Sequence, residues 1–182
     1  MNHPLRRICC TLVISSLLAV ASIGAQEAVE LIPFEIKDQF DRAYRDADLR
    51  EKVTVVLGSD KKGSRYNDRW VRAIEALIDS NDHRKVVVIE IADLRGVPFF
   101  LRGFVKKKFP KEEENRVLLD WKGRFAKSYG FVADTCNILL FDQRGELVHQ
   151  MSVTDEEPGK LAEMKEKLEE LASLNRPLTL SL

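Results

Sequence analysis

Cys136 is the only thiol of this 182-residue chain outside its first 25 residues, which hold Cys9 and Cys10. Dithiol–disulfide exchange within one molecule therefore has no second sulfur beyond that leader. A lone thiol can still be oxidised, form a mixed disulfide with another molecule or bind a soft metal ion; free cysteine is also often a small buried hydrophobe, and both readings stand. His83 and His149 could join Cys136 around a metal, yet the three lack the close spacing of a ligand set, so no metal site is expected.

The turn Gly58-Ser-Asp-Lys-Lys-Gly-Ser64 is the second place with chemical potential. Lys61, Lys62 and Arg65 stand at an expected helix start, where backbone N–H groups could hold a small anion; the alternative is a solvated turn. Ser59 and Ser64 have no base beside them and are not read as nucleophiles. Trp121, within Asp120-Trp-Lys-Gly123, is either an anchor on a binding face or a turn residue packed against Tyr129. Phe99, Phe100, Phe104 and Phe109 recur at steps that favour core over groove. Lys106-Lys-Lys108 followed by Glu112-Glu-Glu114 segregates charge, either as solvated surface or as a docking patch.

The elements that must position these residues alternate along the chain. Phe34 to Phe40 is expected to open as a strand, followed by polar Asp41 to Lys52 with room for a short helix. Val53 to Leu57 is β-branched and short enough for a buried strand. Trp70, Ile74, Leu77 and Ile78 then fall at helical spacing, with Asp68, Arg72, Glu75 and Asp79 opposite. Lys85 to Ile91 is nearly unbroken apolar sequence, so burial on both faces is expected. Pro98 suits the first turn of a helix toward Lys108, which Phe109-Pro110 would end. Val117 to Leu119 is a short extended piece, and Phe125 to Tyr129 a brief helix stopped by Gly130. Asn137 to Phe141 and Glu146 to Val153 form a hairpin about Asp142 to Gly145, and Pro158 opens a last helix carrying Leu161, Met164, Leu168 and Leu171. The resulting order, β, β-α-β, α, β-β-α, calls for a mixed sheet with covering helices.

Residues 1–25 have the layout of a secretory signal: basic Arg6 and Arg7, apolar Leu12 to Ala21, then Gly24-Ala25. A ten-residue apolar stretch is about half of what a bilayer span needs, so export followed by cleavage is expected, with no stable membrane span afterwards; the alternative is an uncleaved signal anchor. The formal net charge is +0; losing Arg6 and Arg7 tips it slightly acidic, which disfavours nucleic acid as a partner. Residues 26–33 then form an N-terminal segment, 34–173 one domain and 174–182 a tail, with no internal repeat or low-complexity linker.

Four stretches taken together, Phe34-Glu-Ile-Lys-Asp-Gln-Phe40, Val53-Thr-Val-Val-Leu57, Leu119-Asp-Trp-Lys-Gly-Arg-Phe-Ala-Lys-Ser-Tyr-Gly130 and Asn137-Ile-Leu-Leu-Phe-Asp-Gln-Arg-Gly145, resemble the redoxin branch of the thioredoxin superfamily. Within it the chain looks similar to the YtfJ-like group of small exported bacterial proteins. The resemblance covers about residues 34 to 173. It implies an α/β, thioredoxin-like fold, a mixed sheet flanked by helices. It also implies that a cysteine belongs in the turn after Val53 to Leu57, where a helix N-terminus would stabilise its thiolate. Here that turn holds Asp60, Lys61, Lys62, Ser64 and Arg65, while Cys136 aligns with the family's cis-proline.

The expected protein is thus a periplasmic or secreted thioredoxin-fold domain without a CxxC motif. It would be a non-catalytic binding or accessory protein that uses Ser59, Asp60, Lys61, Lys62, Ser64, Trp121 and Cys136 as a face for an unknown protein or small molecule, with no cofactor. The enzymatic alternative is a single-thiol oxidoreductase or peroxide-reactive protein working through Cys136. A metal or cofactor carrier built on Cys136 and a histidine is a third reading.

Overall fold

Val53-Thr-Val-Val-Leu-Gly-Ser59 has no charged side chain, and all seven residues are buried. Such a run satisfies its backbone with a strand on either side and covers both its faces. The computed structural model describes residues 30–78, 86–155 and 157–174. The expected leader with Cys9 and Cys10, the Ser80 to Arg84 loop with His83, and residues 175–182 lie outside the described residues.

In chain order the elements are Glu35–Lys37 (β1), Ala43–Arg45 (β2), Val53–Ser59 (β3), Asn67–Glu75 (α1), Val86–Asp93 (β4), Arg102–Lys106 (α2), Val117–Asp120 (β5), Arg124–Ser128 (α3), Cys136–Phe141 (β6), Leu147–Val153 (β7) and Pro158–Leu174 (α4). The main sheet has five strands in the order β5-β4-β3-β6-β7. β3, β4 and β5 are parallel; β6 and β7 run antiparallel. β1 and β2 make a separate hairpin.

The two-residue period of the central strands divides the core into two layers. Val53, Val55 and Leu57 of β3, with Cys136, Ile138 and Leu140 of β6, face Trp70 and Ile74 of α1 and Met164 and Leu171 of α4. Val56, Leu139 and Phe141 face the other way, onto Phe125, Tyr129, Leu31 and Ile36. Tyr129 fastens the segment preceding β1: its hydroxyl accepts from Ile32 N at 2.7 Å and donates to the Glu30 carbonyl at 3.1 Å. Fully burying a side chain the size of Trp70, Phe125 or Met164 contributes about 1.5–3 kcal/mol.

The extended piece expected at Val117 to Leu119 is β5, which adds a third parallel strand to the two expected, pairing with β4 from Val117 opposite Glu90 to Asp120 opposite Asp93. Several other expectations are corrected. Asp41 to Lys52 carries β2 and a 3₁₀ turn over Asp46–Leu49, because Asp38 caps a tight turn that returns the chain beside β1; its Oδ1 accepts from Phe40 N and Arg42 N at 2.8 and 2.9 Å. β4 is not buried on both faces. Ile89 and Ile91 are buried on one side, but Val86, Val88 and Glu90 are only half-covered on the side of α1, which ends at Glu75. The helix from Pro98 to Lys108 is a 3₁₀ turn over Phe99–Leu101 continued by the five-residue α2. Its aromatics are not core: Phe99, Phe100 and Phe104 are exposed.

Candidate functional site

Ser59, expected in a turn, is the buried last residue of β3, opposite Ala92 of β4. The strand runs two residues past Leu57 because Gly58 supplies a bare backbone: a Cβ there would lie 1.9 Å from the Phe131 ring. Asp60 follows and ends the strand. Its Oδ1 accepts from Lys62 N at 3.0 Å and Gly63 N at 2.8 Å, and its Oδ2 accepts from Asp134 N at 2.9 Å. Burial pushes the Asp60 carboxyl up, but the backbone donors Gly63, Asp134 and Lys62, with the Lys62 charge, together hold it below the usual carboxylate range.

Asp60 therefore laces the turn after β3 to the loop before β6. Gly63 closes the same junction, since a Cβ on it would fall 2.1 Å from the Thr135 carbonyl oxygen. Lys62 Nζ pairs with Asp134 at 3.0 Å, both side chains largely in solvent, a contact of about 0–1 kcal/mol. Lys61 and Ser64 are exposed, and Ser64 Oγ donates to the Lys61 carbonyl at 2.9 Å.

Cys136 opens β6 directly behind this junction, opposite Val153 of β7, and is fully buried in the α1–α4 layer. Burial first, and the nearby Glu90 charge second, push its thiol up to about 12. At neutral pH such a thiol stays protonated and is a poor nucleophile. No cis peptide occurs among the described residues, and Cys136 is the first residue of β6. His149 lies on β7, with Nε2 3.7 Å from Glu163 Oε1 and without a hydrogen-bond partner; burial, the largest influence, lowers its pKa. Among the described residues no three His, Cys, Asp or Glu side chains are grouped to hold a metal ion.

Ser59, Asp60, Lys61 and Ser64 border a cleft of about 650 Å³ between the β3 turn and the 94–110 stretch. Val97, Phe104 and Phe109 give it an apolar side, and Asp68, Asp93 and Lys108 line it as well. Two of its residues were missed by sequence reasoning. Glu90 of β4 accepts from Asn67 Nδ2 of α1 at 3.1 Å; burial raises its pKa against that hydrogen bond, and the Asp68 and Glu75 charges add to the rise. Asn67 Oδ1 is buried without a partner. The signal for Glu90 was a lone acid within Val-Val-Val-Ile-Glu-Ile.

Asn137 was also missed. It is fully buried and ties the junction together, donating to the Gly58 and Val132 carbonyls at 3.2 and 3.0 Å and accepting from Val132 N and Ser152 Oγ at 2.8 Å each. Trp121 is not brought to this face. It follows β5, half-buried beneath the Arg102 guanidinium at 5.2 Å, and lines a separate cleft of about 920 Å³ with Phe34, Asp38 and Lys122. Tyr129, its expected neighbour, packs instead on Phe125 and Phe141.

Neither a scan against protein-family models nor a search of curated proteins finds a match. Solved structures do match. The chain superposes on the exposed lipoprotein thioredoxin Etrx1 of Streptococcus pneumoniae with a TM-score of 0.56 at 18% identity, covering 74% of this chain and 99% of that one. The thioredoxin domain of a thiol-disulfide oxidoreductase from Bacteroides vulgatus matches at a TM-score of 0.52 and 13% identity, over 79% and 95% of the two chains. A SCO1/SenC family lipoprotein from Bacillus anthracis matches at 0.52 and 15%, over 81% and 98%. At these identities the likeness defines the fold alone: a thioredoxin-like α/β fold, with a mixed central sheet flanked by helices. Among the described residues no helix is long and apolar enough to cross a membrane.

Proposed function

We propose that this chain is an exported, thioredoxin-fold binding or accessory protein without dithiol chemistry of its own, engaging a protein or small molecule at the face where the redoxin pattern keeps its cysteine. The observation that carries this reading is the Asp60 junction. Where the pattern wants an accessible thiol at a helix start, Asp60 spends its carboxylate on three backbone N–H groups, and the cleft beside it is open to solvent. The secretory layout of residues 1–25 and the likeness to the YtfJ-like group support export, and Etrx1, an exposed lipoprotein, favours the same placement. A single-thiol mechanism would need Cys136 to reach solvent and ionise, whereas its side chain is buried and its thiol is raised to about 12.

Two measurements test the proposal. In a disulfide-reduction assay the folded protein should show no turnover, and a thiol reagent should reach Cys136 only as the chain unfolds. Rapid labelling near neutral pH, with turnover lost in Cys136→Ser, would replace this reading with the single-thiol one. A photo-crosslinking residue placed at Lys61 in exporting cells should give a defined adduct that the same residue at Lys165 on α4 does not. Equal capture at both positions would remove the cleft as the binding face.

A further inference from the structure

Residues 94–111 contain Arg95, Arg102, Lys106, Lys107, Lys108 and Lys111 but no acid, in a chain of formal net charge +0. The same stretch holds the most exposed large apolar side chains among the described residues: Phe99 at 83%, Phe100 at 81% and Phe104 at 62%. Phe100 lies in the 3₁₀ turn, Phe104 in α2, and Lys107 and Lys108 just past the end of α2. Arg102 stands 5.7 Å from the Phe99 ring centre and 5.2 Å from that of Trp121, pinning the turn to the body of the domain, while Lys108 Nζ lies 4.9 Å from the Phe104 ring centre. Arg95 and Lys106 are paired with Asp93 and Asp41. The ammonium groups of Lys107, Lys108 and Lys111 make no ion pair with a carboxylate among the described residues, although Lys111 N donates to Glu112 Oε2 at 3.1 Å.

We propose that this stretch is a membrane-surface anchor, in which Phe99, Phe100 and Phe104 enter the headgroup–acyl boundary of a bilayer rich in anionic phospholipid and Lys107, Lys108 and Lys111 meet its phosphates. Aromatic rings interleaved with cations on a projecting turn match such a boundary, which takes up apolar groups and attracts positive charge at the same depth. The cations of the stretch supply the charge complementarity; Asp93 and Glu112 to Glu114 flank it directly and bound the cationic patch at both ends. This inference goes beyond the binding role proposed for the Asp60 cleft; Phe104 and Lys108 also line that cleft, whereas Phe99, Phe100, Lys107 and Lys111 lie outside it.

The test is co-sedimentation of the full-length chain with vesicles of phosphatidylcholine, with and without about one-third phosphatidylglycerol. The expected result is retention on the anionic vesicles that weakens as salt is raised. The double variant Phe99→Ser with Phe100→Ser should bind about tenfold more weakly, since it loses the apolar share of the contact. Gly103→Glu places an acid in the middle of the patch, where a new Cβ meets nothing within 4 Å, and should weaken binding severalfold without disturbing the fold. Parent and variants share the apolar stretch Leu12 to Ala21, so differences between them belong to the patch. Equal retention of parent and variants, or no retention on anionic vesicles, would overturn the proposal. A parent dimer that Phe99→Ser with Phe100→Ser dissolves would also overturn it, by assigning the patch to a second copy of the chain.

Discussion

Asp60, Glu90 and His149 are three titratable residues with opposite consequences for stability. Asp60→Ala removes an acceptor from three backbone N–H groups and should cost about 1–2 kcal/mol in a urea titration at pH 7. Because the folded pKa of Asp60 is lowered, its contribution is complete above the unfolded value of about 3.9 and is lost as pH falls through the folded value. Asp60→Asn should accordingly flatten the acid limb of the stability curve. Glu90 behaves in reverse: its folded pKa is raised, so stability declines as pH climbs above about 4.3 and the unfolded chain ionises first. Glu90→Gln should raise the pH 7 unfolding midpoint, and a lowered midpoint would show that the charged form is the one the fold favours. His149, with its folded pKa lowered, costs stability as pH drops below about 6.5, and His149→Gln should lessen that loss. Only the Asp60 turn was visible beforehand, because an aspartate among glycine, serine and lysine marks a turn by local chemistry. Glu90 and Asn137 sit inside apolar runs, and their partners Asn67, Val132 and Ser152 come from other elements.

At the scale of elements the decisive feature is the abutment of the β3 turn and the loop before β6. Gly63→Ala should cost about 1–3 kcal/mol or more, because the neighbour it meets is the Thr135 backbone and cannot rotate aside. Gly103→Ala in α2 is the contrasting substitution: the position is open, and the change should stabilise by up to about 1 kcal/mol through helix propensity. Thermal unfolding of the two variants separates close approach from ordinary helical glycine. Strands β3, β4, β6 and β7 could be read to within about two residues, because β-branched runs and the Asp142 to Gly145 turn carry local signals. Strand β1 falls within the expected Phe34 to Phe40 strand, but β2 and the hairpin they form could not be read. Its strands are three residues each and are set by the Asp38 cap and by Ile36 docking into the core.

Across the whole molecule, one sheet separates two apolar layers that have its central strands in common. Met164→Ala and Phe125→Ala, on opposite faces, should each cost about 2–5 kcal/mol and shift a single cooperative transition. Transitions that differ between Trp fluorescence and backbone circular dichroism would instead mean that the layers unfold apart. Among the described residues the most exposed phenylalanine rings, Phe99, Phe100 and Phe104, are gathered in residues 94–111. Helical spacing of Phe100 and Phe104 suggested burial, but spacing gives a residue's side of a helix and not whether anything covers it.

Composition and periodicity, which are local properties of the chain, were enough to give the class of fold, the order of most strands and helices, and the lack of a second sulfur beyond the first 25 residues. Tertiary structure alone decided that Cys136 is buried, that Asp60 bridges two loops, that Trp121 belongs to a different cleft, and that Glu90 meets Asn67. Each of these depends on which distant segments come into contact, and burial and hydrogen bonding between residues far apart in the chain leave no periodic trace in the sequence.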